Sequence, residues 1–251
     1  MTADSLSSVQ RALDVLRALG SGPLRVQSVA EALGKEKTQV SRTLKVLAES
    51  GFVERDPESL EYRLGWQLFA LASAASDSRL LQQASPVLRR LVRTLGEAAY
   101  LTVLSGNAAV TVLAERPGRT LQAHERIGRL SPLNCTASGR ALLIGRPDDE
   151  VEMLLAAQPE PMPGTERAPR TTTAVLDRLH AERVAGHGMA IEESEPGLVA
   201  VAAPVHDFHG TTVAAVNVSA PAFRLPPDAR APVVTAVVDA AARLSRALGA
   251  P

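Results

Sequence analysis

One short segment of the chain carries polar and cationic side chains at a spacing suited to reading duplex DNA. In KTQVSRTLKVLAESG, Val40, Leu44 and Leu47 recur at helical spacing and predict one buried stripe. The polar side chains cannot all join that stripe, so several must face solvent. There they suit the major groove, where base edges present a readable pattern of donors and acceptors. We predict DNA contacts from this helix by Lys37, Thr38, Gln39, Ser41, Arg42 and Lys45.

Positive charge is concentrated on the same segment. The formal net charge of the 251-residue chain is +0, but between Gly34 and Leu47 four cations stand against one glutamate, for a local charge of +3. A DNA-binding protein needs a basic face rather than a basic total. In the sequence that follows, Arg55 and Arg63 could reach phosphates or a minor groove. The alternative interpretation, a solvated face of a small helical domain, stays open on these residues alone.

Short helices and a hairpin must position these side chains. Apolar residues at helical spacing predict a first helix that ends near Gly20, and a second short helix, SVAEAL, ends at Gly34. The third helix stops at Gly51, and the sequence FVERDPESLEYRLG after it predicts two strands around a charged turn. The order helix, helix, turn, helix, hairpin indicates a winged helix-turn-helix over residues 1–66.

The rest of the chain predicts a linker helix and then a larger α/β domain. Residues 66 to about 95 are helical in pattern with a break at Pro86, and we assign residues 67–85 to a linker. Strands are predicted in AYLTVLS, AVTVLAE, LVAVAAPVHD and TVAAVNVSA, and helices in TASGRALLIG, DDEVEMLLAA, VLDRLHAERVA and residues 228–248. The proline-rich PEPMPGTERAPR is predicted to be an exposed loop. Residues 86–251 are therefore expected to form an α/β domain with a largely antiparallel sheet.

Composition limits the class of protein. Hydrophobic residues make up 45% and charged residues 22%, as in ordinary globular proteins. A single cysteine excludes a disulfide framework within the chain and a multi-cysteine zinc site. No apolar run is long enough to span a membrane, and the N-terminal residues do not resemble a secretory signal. We therefore expect a cytoplasmic protein without a membrane partner.

Three groups of residues raise the alternatives of catalysis and metal binding. Glu192 and Glu193 are adjacent, so on a strand they would point to opposite faces and could not simply cooperate. His206 and His209 fall at a predicted hairpin turn without further metal-ligand partners. Cys135 has no histidine placed beside it, and a buried or cavity-lining thiol is the better interpretation. Nucleophile-elbow, P-loop and dinucleotide motifs are absent. We expect no enzyme activity, no metal and no cofactor.

An ordered set of segments resembles one family of regulators. RALDVLRAL, VAEALGKEKTQVSRTLKVLAESGFV and YRLG resemble the winged helix-turn-helix of IclR-type transcription regulators. SPLNCTASGRALL, GHGMAIEESEPG, VAVAAPV and VAAVNVSAPAFRL resemble segments of the family's effector domain. The resemblance implies a GAF-like effector domain that binds a small organic acid. It also implies a homodimer, or a dimer of dimers, that binds double-stranded operator DNA.

The same resemblance implies an effector site, with departures from the family pattern. A loop into a helix N-terminus supplies backbone N–H groups to a carboxylate; a cap by Thr136 or Ser138 is the structural alternative. The family commonly has an acidic residue where Ala190 stands and a cysteine where Ala200 stands. The smaller alanine side chains at these two positions predict a larger, more apolar cavity and a bulkier ligand, an aromatic acid for example. The predicted effector-binding residues are Asn134, Cys135, Thr136, Ala137, Ser138, Ala190, Ala200, Asn217 and Ser219.

These observations predict a ligand-responsive transcription regulator that binds a pseudo-palindromic operator. One protomer offers one short reading helix, so symmetric pairing is needed for adequate affinity. Two alternatives stay open: an enzyme with a helical appendage, and a binding module whose helix-turn-helix no longer reads DNA. Whether the ligand causes release or activation is not specified by these residues.

Overall fold

The computed structural model describes residues 3–75, 78–118 and 127–250. The chain divides into two compact units, Met1–Ser78 and Arg79–Pro251. The division falls inside the segment 67–85 that was predicted to link the two domains. No helix within the described residues is both long enough and apolar enough to cross a membrane.

The N-terminal unit contains the predicted helix-turn-helix followed by a hairpin. Its elements are α1 (Ala3–Leu19), α2 (Val26–Leu33), α3 (Lys37–Glu49), β1 (Val53–Arg55), β2 (Tyr62–Leu64) and α4 (Trp66–Ala75). The strands β1 and β2 pair antiparallel, and Leu24 adds a bridge to Tyr62 on the other side of β2. The hairpin is therefore tied back to the segment between α1 and α2.

The core of this unit is the apolar stripe that the sequence predicts. Val40, Leu44 and Leu47 of α3 are buried against side chains of α1, α2, β1 and β2. Gly34 ends α2 in the left-handed conformation with φ 58°, and the N–H of Lys35 donates to the carbonyl of Ala30 at 3.0 Å. This tight turn sets the direction in which α3 leaves α2.

The C-terminal unit is an antiparallel sheet with helices on both faces. Within the described residues six strands lie in the order β5-β4-β3-β8-β7-β6, and every neighbouring pair is antiparallel. The strands are β3 (Ala98–Ser105), β4 (Ala108–Glu115), β5 (Leu130–Ser131), β6 (Gly188–Ile191), β7 (Leu198–His206) and β8 (Thr212–Pro221). The helices are α5 (Ser78–Leu95), α6 (Ala137–Ala141), α7 (Asp148–Leu155), α8 (Thr172–Ala185) and α9 (Arg230–Ala247).

Alternating side chains of the central strands serve two separate cores. Val199, Val201 and Val218 face α5 and α9 and belong to the larger hydrophobic cluster. Ala200 and Ala202 point to the opposite face, where they pack with side chains of α6, α7 and α8. Successive strand residues face opposite sides of the sheet, and here both sides are buried. These strands therefore appear in the sequence as continuous apolar runs. The α/β class and the antiparallel sheet are as predicted.

The predicted helix break at Pro86 is wrong. Helix α5 runs through Pro86 without interruption from residue 78 to residue 95. Proline removes one backbone hydrogen bond and crowds the preceding turn. Ala84 and Leu88, on either side of it, are fully buried in the larger core. Tertiary packing of the helix on the sheet outweighs that local cost.

The prediction that residues 159–170 form an exposed loop is also wrong in part. Met162 is 1% exposed and belongs to the core under α6 and α8, and Ala168 is buried as well. The backbone carbonyls of Pro163 and Pro169 accept hydrogen bonds from the side chain of Asn134. The high proline content correctly predicted that this segment forms neither helix nor strand. It did not predict that the loop packs over the core.

Candidate DNA interface and effector cavity

The outer face of α3 presents the side chains predicted to contact DNA. Its inward stripe is buried, whereas the six polar or cationic residues that define the outward face are all exposed. They are Lys37, Thr38, Gln39, Ser41, Arg42 and Lys45. The helix dipole is positive at the end where Lys37, Thr38 and Gln39 lie, which suits an anionic phosphate. The structure therefore collects these residues on one solvent-facing surface.

Contacts within the N-terminal unit orient some of the side chains on that surface. Arg11 of α1 donates from Nη1 to Oε1 of Gln39 at 3.3 Å, so the Gln39 amide is oriented by a cation from a neighbouring helix. Lys45 lies 3.8 Å from Glu49 in an exposed pair. Arg42 makes no hydrogen bond or ion pair within the described part of the chain. Its guanidinium is available to a partner without breaking an internal contact.

The hairpin arginines are engaged differently. Arg63 donates from Nε and Nη2 to one carboxylate oxygen of Glu54, its cross-strand neighbour, at 3.1 and 2.8 Å. The Arg55 guanidinium lies 5.6 Å from the ring centroid of Tyr62. A phosphate contact by Arg63 would have to compete with Glu54. Of the two, Arg55 keeps its hydrogen-bond donors freer for such a contact.

The hairpin turn is held by one carboxylate. Oδ1 of Asp56 accepts the backbone N–H groups of Glu58 and Ser59 at 2.9 and 2.8 Å. Hydrogen bonds from the backbone of Ser59 and then of Glu58 lower the pKa of the Asp56 carboxyl. The Asp56 carboxylate therefore accepts these two hydrogen bonds at neutral pH. The turn loses them only in acid, once that carboxylate is protonated.

In the C-terminal unit a cavity of about 450 Å³ opens beside the loop that precedes α6. The loop contributes Cys135 and Thr136, β8 contributes Ser219, and the segment 159–170 contributes Gly164. This volume falls within the range of small-molecule sites. Two other cavities, of about 360 and 460 Å³, contain none of the predicted effector-binding residues. Of these three cavities, the one beside α6 is lined by predicted effector-binding residues.

The predicted effector residues divide into a cavity wall and a packed layer beneath it. Cys135, Thr136 and Ser219 line the cavity. Ala190 and Ala200 are cross-strand neighbours, 2% and 8% exposed, and they pack in the hydrophobic cluster under α6. Their methyl groups are therefore not among the residues that line the cavity. Also outside its lining, and buried, are Asn134, Ala137, Ser138 and Asn217.

Thr136 caps the helix, as the structural alternative proposed. Its Oγ1 accepts the N–H of Gly139 at 3.1 Å and donates to the carbonyl of Pro132 at 2.7 Å. The hydroxyl is thus satisfied by the chain itself. The first-turn N–H groups of Ala137 and Ser138 have no intrahelical acceptor, as at any helix N-terminus. Helix α6 is only five residues long, so its dipole adds little.

Cys135 lacks the properties of a nucleophile. Its side chain is buried, and burial raises the pKa of the thiol to about 11, against the opposing effect of the Arg140 charge. The thiol is therefore protonated at neutral pH, whereas the thiolate is the reactive form. This supports the interpretation of Cys135 as part of the cavity wall.

A buried ion-pair network behind the cavity was missed by sequence reasoning. Arg140 is 0% exposed; its Nε donates to Glu182 at 3.0 Å, and Nη1 donates to Glu193 at 2.6 Å. Further bonds run from Nη1 to the carbonyl of Asn134 and from Nη2 to that of Met189, both at 2.7 Å. The network joins α6, α8, β6 and the loop after β6. An arginine inside the apolar run SGRALL was the available signal.

The residues considered for catalysis or metal binding have structural partners. Glu193 is buried against Arg140, while Glu192, already past the end of β6, pairs with Arg167 and accepts the N–H of Gly197. His206 Nδ1 lies 3.4 Å from the hydroxyl of Thr212. Within residues 3–75, 78–118 and 127–250, no group of three or more His, Cys, Asp or Glu side chains could hold a metal ion.

Several buried polar atoms on the cavity side of the sheet have no hydrogen-bond partner. Asn134 donates from Nδ2 to the carbonyls of Pro163 and Pro169 at 2.8 and 2.9 Å, which leaves its Oδ1 unpartnered. The other unpartnered atoms are Oδ1 of Asn217, Oγ of Ser219 and Oγ1 of Thr102. Buried polar groups are nearly always paired, so atoms of this kind often mark a place for a ligand or a water molecule.

Comparison with known proteins gives matches along most of the chain. The model "IclR helix-turn-helix domain" matches residues 8–57, and "Bacterial transcriptional regulator IclR C-terminal" matches residues 72–246. The "Glycerol operon regulatory protein" of Streptomyces griseus is 36% identical and covers 99% of this chain and 98% of its own length. The "HTH-type transcriptional regulator KdgR" of Escherichia coli (strain K12) is 32% identical, with 98% and 94% covered.

A solved structure extends the comparison to the fold. An IclR homolog from Microbacterium hydrocarbonoxydans, crystallised with 4-hydroxybenzoate, superposes with a TM-score of 0.81 over 96% of this chain and 98% of that one. The sequence identity is 22%, so the likeness concerns the fold alone.

Proposed function

The chain belongs to the IclR family of bacterial transcriptional regulators, and we propose that it binds a pseudo-palindromic operator through α3 under the control of a small organic acid. The family is one of regulators with a helix-turn-helix and an effector-binding domain, and not of enzymes. The observation that carries the DNA-binding part is that α3 buries the apolar stripe of Val40, Leu44 and Leu47 and exposes all six of the predicted polar and cationic side chains.

The operator contacts divide by chemistry. Gln39 and Ser41 offer hydrogen bonds to base edges, whereas Arg42 and Lys45 offer charge to phosphates or, for Arg42, a bidentate contact to guanine. The N–H groups and side chains at the start of α3, at Lys37 and Thr38, suit the backbone. Arg55 and Arg63 on the hairpin would add contacts beside the groove that α3 occupies.

A symmetric dimer would present two copies of α3 to two half-sites. Helix α4 carries an exposed apolar surface, since Trp66 is 76% and Phe69 is 66% exposed and the two rings pack edge to face at 6.1 Å. Leu71 on the same helix is exposed as well. Exposed apolar patches of this kind mark protein interfaces. We assign this surface to pairing between two copies of the chain.

The cavity beside α6 is the proposed effector site. It has the volume of a small-molecule site, it is lined in part by the loop 132–136, and unpartnered polar atoms lie on its side of the sheet. An organic acid, which the family resemblance predicts, is the proposed ligand class. An aromatic acid remains one member of that class; the fold relative crystallised with 4-hydroxybenzoate gives an instance of such a ligand in this fold.

Operator binding is tested by a gel shift on the DNA upstream of the protein's own gene. The double variant Arg42→Ala/Lys45→Ala is expected to lose about 1–3 kcal/mol of binding free energy per side chain. It should also show a weaker dependence on salt, by about 0.9 in the log–log slope for each phosphate contact removed. Arg17→Ala, an exposed arginine of α1 paired with Asp14, is the matched control.

Unchanged affinity and salt slope in the double variant would contradict DNA reading by α3. That result would favour a binding module whose helix-turn-helix no longer contacts DNA. The same gel shift repeated with a panel of aliphatic and aromatic acids tests the effector, because a ligand changes DNA affinity only if it binds the two states differently. Turnover of a bound acid would instead favour the enzyme alternative.

A further inference from the structure

One side-chain hydrogen bond joins the outer face of α3 to α1. Arg11 of α1 donates from Nη1 to Oε1 of Gln39 at 3.3 Å, although the two residues are 28 positions apart in the sequence. Gln39 is the third residue of α3, in the first turn, and the N-terminal residues of a recognition helix are those that contact base edges. The contact therefore lies where the DNA sequence is read.

The Arg11 side chain is held in place beside Gln39. Its Nε is buried, which restricts the rotation of the guanidinium. Within the part of the chain that the structure describes, Arg11 forms no ion pair. Asp14, one turn further along α1, accepts instead from Gln10 and Arg17 at 3.0 and 3.1 Å. The positive charge of Arg11 is therefore not neutralised by a carboxylate and stays next to the Gln39 amide.

The contact determines which end of the Gln39 amide is free to bind a base. A glutamine amide has a carbonyl oxygen, which accepts, and an NH₂ group, which donates. Arg11 occupies the oxygen, and among the described residues the Nε2 group of Gln39 has no hydrogen-bond partner. Arginine can only donate, so a flipped amide would place its NH₂ group against the guanidinium. The interaction with Arg11 therefore leaves the NH₂ group facing outward.

This orientation changes the base that the amide fits. A free glutamine reads adenine with both ends of its amide, since its oxygen accepts from the N6 amino group and its NH₂ group donates to N7. With Arg11 on the oxygen, an adenine amino group would approach next to a guanidinium that also offers only donors. Guanine presents two acceptors, N7 and O6, at the same edge. Donors and positive charge from Arg11 and Gln39 together therefore match guanine better than adenine.

We propose that Arg11 is a positioning residue that sets operator specificity: by holding Oε1 of Gln39, it makes Gln39 select guanine over adenine at one position of each half-site. This inference rests on the proposed function, because it requires α3 to lie in the major groove. It adds the identity of one base pair of the operator. It also gives a role in recognition to a residue of α1, outside the helix that enters the groove.

The experiment measures base preference with the full chain. Operator sequences are selected from a random duplex library, and gel shifts then compare the four base pairs at each position. The position read by Gln39 is the one at which Gln39→Ala loses its preference. There the unmodified protein is expected to bind guanine about three- to tenfold tighter than adenine, the effect of one net hydrogen bond.

Two arginine variants of α1 form a matched pair. Arg11→Met keeps an unbranched stem but removes the donor, so Gln39 regains both ends of its amide and the ratio of guanine to adenine affinity should fall to one or below. Arg17→Met, at an exposed arginine paired with Asp14, should leave the ratio unchanged. Arg11→Lys keeps a charge and a donor, and it should retain part of the guanine preference.

Gln39→Glu tests the same contact from the other side. Its carboxylate still accepts from Arg11, but the NH₂ group is gone, so the guanine preference should disappear. The melting temperature of the free protein should stay the same or rise, because a neutral hydrogen bond becomes a charge-assisted one. If Arg11→Met does not fold, this variant decides the question, and a guanine preference that survives in it would refute the inference.

Several results would overturn the inference and leave the proposed function intact. One is an adenine preference in the unmodified protein, and another is a guanine preference that persists in Arg11→Met. A third is an Arg11→Met protein that binds every sequence more weakly by the same factor, with a salt slope lower by about 0.9, because that result marks Arg11 as a phosphate contact.

The remaining outcomes concern α3 itself. If Gln39→Ala changes no base preference, Gln39 reads no base and the inference fails, while operator binding is still judged by Arg42→Ala/Lys45→Ala. If the unmodified chain selects no sequence from the library, the proposed function fails together with the inference.

Discussion

Arg140 shows how a single charged side chain organises the effector unit. It is fully buried, and it is paired with two carboxylates and two backbone carbonyls drawn from four segments. Glu193 in turn accepts from Arg178 at 2.6 Å. A buried ion pair costs desolvation, so its geometry must be complete for the charges to be tolerated. The network is complete here, and it orients the loop 133–136 from behind.

Loss of Arg140 should therefore destabilise the protein far more than loss of an exposed arginine. We expect Arg140→Met to cost about 3–5 kcal/mol in the free energy of unfolding, since Glu182 is left buried without its cation and Glu193 keeps only the partly exposed Arg178. Arg89→Ala, at an exposed ion pair with Glu115, should cost less than about 1 kcal/mol. Urea unfolding followed by circular dichroism measures both. Similar midpoints for the two variants would refute the structural role of the network.

At the scale of the element, the hairpin is placed by a close approach of two glycines. Gly65 follows β2, and a Cβ at this position would lie 2.3 Å from the backbone carbonyl oxygen of Gly51, at the end of α3. The N–H of Gly65 also donates to the carbonyl of Phe52 at 2.8 Å. Only glycine allows the strand to return this close to the recognition helix, so this contact sets the position of Arg55 and Arg63 relative to α3.

Gly65→Ala is expected to displace the hairpin. Backbone atoms cannot give way as a flexible side chain can, so the substitution should cost about 1–3 kcal/mol and weaken operator binding. Gly118→Ala, where a Cβ meets open space, is the control and should change neither property. Thermal unfolding and the operator gel shift give the two readouts. Wild-type operator affinity in Gly65→Ala would mean that the hairpin position does not matter for DNA binding.

At the scale of the whole molecule, the chain consists of two units, each with its own hydrophobic core. The C-terminal unit encloses two hydrophobic cores of its own on the two faces of its sheet. The N-terminal unit has a smaller core and an exposed aromatic pair on α4. Such a pair is costly to leave in water, and covering it by a second chain would also bring two recognition helices together.

Replacement of that aromatic pair should separate the proposed dimer. Trp66→Ser/Phe69→Ser is expected to shift sedimentation toward the monomer and to lower operator affinity, while circular dichroism shows the helices retained. Val184→Ser, at a highly exposed valine of α8, provides the comparison and should leave the oligomer unchanged. A double variant that sediments like the unmodified protein would place the subunit interface elsewhere.

The sequence by itself determined the local elements and the face of α3. Stripes at helical spacing, alternating strand residues and turn glycines act through neighbours a few positions away, so they can be read without knowing the fold. The family resemblance supplied the loop before α6. Pro86 and residues 159–170 were misread because tertiary packing overrode the local preference of proline.

Only the tertiary structure decided which side chains lie in and around the cavity beside α6. Arg140 meets Glu182 and Glu193 across 42 and 53 positions of sequence, and no periodicity reports contacts at such separations. The same holds for the placement of Ala190 and Ala200 in the packed layer, and for the unpartnered atoms of Asn217 and Ser219. Which polar atoms stay unsatisfied depends on every neighbour at once, because hydrogen bonds need partners within a few ångströms.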